Sequence, residues 1–164
     1  MRSCSFALVL AAALCFRPAF AVEEAARLVD LNAYWAEVSR TVHAGDFQGY
    51  VATCHDEGVL VSGTNGKCHP LAQALARWKK EFDDTQAGTR TSSVTFRFSK
   101  RLGDETTAHE TGIFLYSWTD NVAGKTGDEY IHFEALLRKQ PTGWKILMEY
   151  QKSKASVDEW NALR

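Results

Sequence analysis

His132 and Glu134 are the pair in this chain best spaced for acid–base chemistry. They stand two apart in Tyr130–Lys139, a run that reads as a strand. Side chains at i and i+2 of a strand share one face and lie about 7 Å apart. Turned toward an apolar interior, a histidine and a carboxylate so placed take up shifted pKa values and can pass a proton between a ligand and the protein. Turned outward, they form a surface or interface pair. The alternation leaves both faces open, because each carries apolar and polar members: His132, Glu134 and Leu136 on one, Ile131, Phe133 and Ala135 on the other. The aromatic residues Tyr116, Trp118, Trp144 and Tyr150 fall on strand-like runs as well. They are candidates to line a ligand cavity, with the two phenols as hydrogen-bond donors, and equally candidates for core. Cys54-His55 and Cys68-His69 form two suggestive doublets, but adjacent side chains diverge and zinc ligands are normally two or more residues apart. No metal is expected. The chain has no glycine-rich phosphate loop, nucleophile elbow or paired-cysteine redox motif.

The N-terminus bears on the setting of any such chemistry. A basic end (Arg2), an apolar run from Ser5 to Phe16 and the triplet Ala19-Phe20-Ala21 have the layout of a secretory signal peptide cleaved after Ala21. About twelve apolar residues are too few to span a bilayer, which takes about twenty. The expectation is a periplasmic or secreted protein, residues 1–21 being the leader and 22–164 one domain. With Cys4 and Cys15 removed, Cys54 and Cys68 remain, and in an oxidising compartment they are expected to form one disulfide, which stabilises by about 3 kcal/mol for a loop this short. The formal net charge is −1 over 164 residues. That balance argues against a nucleic-acid partner, which calls for a clustered basic surface, and no further stretch is long enough for a membrane span.

The elements that must position these residues fall into two halves. Leu28, Leu31, Trp35, Val38 and Val42 recur at helical steps, predicting a helix over about 23–44. Gly45 stops it and Asp46 caps a second, with Phe47, Tyr50, Val51 and Cys54 on one face. Gly58–Gly63 reads as a short strand. Pro70 opens a third helix striped by Leu71, Leu75, Trp78 and Phe82 and ending near Asp84, before a polar linker over 85–89. From Arg90 the period becomes two. A hairpin turns at Leu102–Glu105, a long strand covers 106–118, and 119–128 reads as the longest loop. A second hairpin joins Tyr130–Lys139 to Trp144–Lys152 around Gln140–Gly143, and the last ten residues read as a fraying tail. Helices followed by a meandering sheet specify an α+β fold, in which a curled sheet and the helices enclose a pocket. Apolar residues on both faces of the later strands suggest that the outside is covered too, most simply by a second copy of the chain.

With these elements in place, the chain resembles the nuclear-transport-factor-2-like superfamily, most of all its small SnoaL-like and ketosteroid-isomerase-like bacterial domains. The resemblance rests on the Trp35-x-x-Val38 helix, Gly45-Asp46-Phe47, Asp56-x-Gly58-Val59, the helix around Leu75 and Trp78, and Gly143-Trp144-Lys145-Ile146, and it covers nearly all of residues 24–152. It implies a cone-shaped barrel, three N-terminal helices packed into a strongly curved antiparallel sheet, with a pocket open at one end and a homodimer formed through the sheet. It also adds Asp56 as a general-base candidate, since an acid in this region acts so in the ketosteroid-isomerase pattern. The function expected is binding of a small apolar or aromatic molecule in the cone. One alternative is a cofactor-free isomerase, dehydratase or cyclase using an Asp/His/Glu pair, and another is a dimeric protein-interaction module. Fold alone does not choose among them.

Overall fold

The computed structural model describes residues 19–163. Residues 1–18 of the expected leader lie outside them. The first helix, α1, runs Ala19–Ala44, and α2 runs Phe47–Ala52. Gly45 joins them at φ +66°, and an added Cβ there would lie 2.4 Å from the Gln86 backbone nitrogen, so only glycine lets the end of α1 meet the end of the third helix. Asp46 caps α2, its side chain accepting from the Gly49 amide at 2.8 Å.

Strands β1 (Cys54–Ser62) and β2 (Lys67–Pro70) follow, then α3 (Leu71–Gln86) and four long strands: β3 (Arg90–Gly103), β4 (Thr107–Asp120), β5 (Lys125–Gln140) and β6 (Gly143–Lys154). A last helix, α4, covers Val157–Ala162. The six strands form one sheet in the order β2-β1-β6-β5-β4-β3, antiparallel except where β1 runs parallel to β6. The sheet is curved and unclosed, and the N-terminal helices pack into its concave face. The α+β expectation therefore holds. Leu31, Tyr34, Trp35, Val38 and Val42 bury one stripe of α1. The Trp35 ring meets Phe96 at 4.4 Å, Phe98 at 5.6 Å and Phe133 at 5.8 Å, so one indole ties the helix to three strand aromatics.

Three elements differ from expectation. Residues 119–128 are not a long loop. Strands β4 and β5 pair as far as Asp120 and Lys125, and the Asp120 side chain closes the turn by accepting from the Val122 and Ala123 amides. The segment 67–70 is a strand, β2, paired to β1 across the Gly63–Gly66 turn. The final residues do not fray. Ser156 and Glu159 make a reciprocal capping box for α4, and Trp160 is buried against Tyr130 and under the Arg97 guanidinium, 4.3 Å from the ring. A six-residue helix does not hold alone; its cap and this one tryptophan hold it against the outer face of the sheet.

Candidate ligand cavity

Between the helices and the concave face lies a cavity of about 300 Å³. Its interior is mostly aromatic: Trp35 on α1, Tyr50 on α2, Trp78 on α3, Phe96, Phe114 and Phe133 on the sheet. Such walls bind through apolar contact and ring faces and supply few charges of their own. The polar groups sit in two places.

At depth stands Glu149 of β6. It borders the void and is half-buried, and the protein crowded around it, which disfavours the ionised form, raises its pKa. The Gln151 side-chain amide donates to Glu149 Oε1 at 2.6 Å and partly offsets that rise. The Tyr34 and Tyr50 phenols face the same cavity and are held well above the ordinary phenol value, chiefly by burial, with the Glu149 charge adding to it. Tyr34 donates to the Thr53 carbonyl at 3.2 Å.

Glu149 reaches this position through an irregularity in β6. Leu137 of β5 pairs with Ile146, but the preceding residue, Leu136, pairs with Met148, so Leu147 is an extra residue on β6. The bulge reverses which alternate residues face inward. Trp144 and Ile146 point into the cone before it. After it the inward residues are Glu149 and Gln151, opposite Ala135 and Phe133, while Met148 and Tyr150 turn outward.

The second polar group lies near the mouth. The Tyr116 hydroxyl donates to Glu81 at 2.8 Å and accepts from Arg90 at 3.3 Å, and Arg90 also donates to the Ser92 hydroxyl at 3.2 Å. Burial raises the Tyr116 pKa, against hydrogen bonds to Ser92 and Arg90 that lower it. Among the described residues no group of three or more His, Cys, Asp or Glu side chains could hold a metal ion.

No protein-family model matches the chain, and no curated protein sequence matches it. Solved structures do. A conserved protein from Planctomyces limnophilus superposes with a TM-score of 0.65 at 12% identity, over 77% of this chain and 94% of that one. An NTF-2-like protein of unknown function from Shewanella oneidensis gives 0.57 at 19%, over 76% and 97%. An NTF2-like protein from Rhodospirillum rubrum, described as of unknown function in nutrient uptake, gives 0.52 at 18%, over 73% and 94%. The chain has the nuclear-transport-factor-2-like fold.

Within this nuclear-transport-factor-2-like cone the sequence candidates separate. Tyr116 lines the cavity. His132 and Glu134 do share a face, but it is the outer one. His132 meets Glu159 of α4 at 3.2 Å, and Glu134 meets His109 at 3.2 Å and Lys152 at 2.6 Å. Lys152 and His109 hold the Glu134 pKa below the usual range, the opposite of a base activated by burial. Asp56 is exposed on an irregular part of β1, between the pairings of Cys54 and Val59 with β6.

Of the other aromatic candidates, Trp144 is buried core with no hydrogen-bond partner for its indole nitrogen. Trp118 lies beyond the cavity, packed on Gly127 and under Arg90, 4.8 Å from its ring. Tyr150 points outward beside Lys152. Cys54 and Cys68 are free thiols. Cys54 stands opposite Ile146, whereas Cys68 pairs with Val61, which stands opposite Tyr150. Those places are roughly 10–13 Å apart along β6, beyond the reach of about 7 Å between Cα atoms that a disulfide spans.

Glu149 was not among the candidates. Strict alternation from Trp144 and Ile146 puts Tyr150 inside and Glu149 outside, and one extra residue inverts that. The only local signal is the unbroken apolar run Ile146-Leu147-Met148, which fits a bulge as well as a strand buried on both faces.

Proposed function

We propose that this protein binds a small, largely apolar or aromatic molecule in its cone, with Glu149 as the group that recognises it or exchanges a proton with it, and that it does so outside the cytoplasm. The observation that carries the reading is a half-buried carboxyl, Glu149, facing into an aromatic cavity of about 300 Å³. A cavity of this size suits a molecule of one or two fused rings. The test uses 2-naphthol as a probe. Its resonances should broaden on adding protein, and Ile131→Trp, which fills the cavity from β5, should abolish the effect while the circular dichroism spectrum stays unchanged. Absence of binding to the unmodified protein, or undiminished binding to the Trp variant, would overturn the reading.

A second reading, catalysis by proton transfer, is favoured by the same carboxyl. A carboxylate out of bulk water is a stronger base, and burial is how proton-transfer sites raise a carboxylate toward neutrality. Ring opening of 5-nitrobenzisoxazole reports such a base: the carboxylate takes the ring C–H proton, the N–O bond breaks, and a coloured cyanophenolate is released. Glu149→Gln should lower this rate about 100-fold or more, and the rate should climb with pH around a midpoint above the usual carboxylate value of about 4.3. His132→Ala and Glu134→Gln, both on the outer face, should leave it unchanged. A rate insensitive to Glu149 removes the catalytic reading and leaves binding standing.

A further inference from the structure

The charged side chains that line the cavity are all acids, and the nearest cation at the mouth, Arg90, is bonded to Tyr116 and Ser92. The cavity wall includes Glu81, Glu129 and Glu149, and among the described residues no lysine, arginine or histidine lines it. Two of these acids are already provided for. Glu81 accepts from Tyr116 and lies 3.6 Å from Arg90, while Glu129 is exposed at the rim, where water solvates it. Glu149 is not. It receives one hydrogen bond, on Oε1 from Gln151, and Oε2 has no donor among the described residues.

The titratable groups around it are Tyr34 on α1, Tyr50 on α2 and Cys54 on β1, and each is neutral unless deprotonated. Lys145, the cation that acts on Cys54, directs its ammonium to the Ala52 carbonyl. Across β5 the opposing residue is Ala135.

A half-buried carboxyl left in this state, facing an apolar cavity, favours its neutral form unless something positive arrives with the ligand. The rest of the cavity suits such an arrival. The faces of Trp35, Tyr50 and Trp78 carry the negative lobes of aromatic quadrupoles, which attract a cation most strongly once it is desolvated. An anionic ligand would meet Glu149 in a medium that screens poorly, and a neutral one without an O–H or N–H donor would leave Oε2 unmatched.

We propose that the natural occupant is a small organic cation, its apolar body among the rings and its positively charged nitrogen beside Glu149. This rests on the reading that the cavity binds a small molecule, and it names the class.

Three probes of one shape test it by ligand-observed NMR titration: benzyltrimethylammonium, the neutral isostere neopentylbenzene, and the anion phenylmethanesulfonate. The cation should bind about tenfold or more tighter than the neutral probe, and the sulfonate should not bind. Glu149→Gln should erase the cation's advantage while changing the neutral probe's affinity by less than about twofold. Affinity for the cation should rise with pH as Glu149 ionises, and calorimetry in buffers of different ionisation enthalpy should show protons released on binding; the neutral probe should show neither. Equal or tighter binding of the neutral probe overturns the cation assignment and leaves the binding reading intact. Failure of all three to bind folded protein overturns both. If Glu149→Gln does not fold, the charge series and pH dependence on the unmodified protein decide the matter.

Discussion

Glu149 sets function and stability against each other. Because its pKa in the folded protein is raised above the unfolded value, the native state holds its proton more tightly than the unfolded chain does. Below about pH 4, where both states are protonated, the residue makes no difference. As pH rises past that point the unfolded chain ionises first and stability falls, levelling off only above the folded pKa. Glu149→Gln should therefore melt near the parent temperature in acid and above it at neutral pH, with the gap opening as pH increases. A gap that is widest in acid would contradict the burial argument. The thiols give a second check. Burial pushes Cys54 up to about 12, and Cys68 is exposed. Iodoacetamide at mildly alkaline pH should label Cys68 quickly and Cys54 slowly, with both labelled in denaturant without any reductant. A denatured, unreduced protein that takes no label would restore the disulfide. Tyr116 was named in the sequence as an aromatic on a strand, although alternation alone did not say which face of the sheet it took. Glu149 was not, because its orientation depends on a register irregularity and not on its own neighbours.

Among the elements, those built on repetition were the readable ones. The stripe Leu31, Trp35, Val38, Val42 and the Phe96-x-Phe98 alternation led directly to α1 and β3. What escaped depends on contacts between residues far apart in the chain. The ends of β4 and β5 continue because Gly127 makes room for the Trp118 ring, 2.7 Å from where a Cβ would stand. The tail folds because Arg97, sixty-odd residues earlier, donates to the Trp160 and Leu163 carbonyls. Ser156→Ala should remove the α4 cap at a cost of about 1 kcal/mol, read as a shift in the urea midpoint. A shift indistinguishable from zero would mean that α4 is not part of the cooperative fold. Next to the aromatic core is a buried ionic cluster. Glu110 is fully buried, accepting from the Trp35 indole and from Arg101. Arg101→Met leaves that carboxylate buried without its counter-charge and should cost about 3–5 kcal/mol, far more than an exposed ion pair is worth.

For the molecule as a whole, the outer face of the sheet carries the remaining expectation. Part of it is covered from within the chain. Ile113, which pairs with Arg97 and His132, is only 2% exposed, and both of those partners are held by α4. The half-buried Leu136 and Met148 face each other on the same side, and there we expect a second copy to dock. Static light scattering at micromolar concentration should give twice the monomer mass, and a monomer mass alone would rule the dimer out. The order of helices and strands made the cone legible, since an amphipathic sheet has to bury its apolar face on something. It did not make the chemistry legible, and the bulge at Leu147 explains how wide that gap is. What the cavity contains is set there by one residue left out of the ladder. Excising Leu147 would remove the bulge and leave the cavity as it is, because Met148 would then follow Ile146 directly and face outward, with Glu149 and Gln151 still facing in. A flat strand that kept Leu147 would instead turn Met148 and Tyr150 inward, so two chains of this fold with the same residues here have an acidic cavity or an apolar one according to whether this strand bulges.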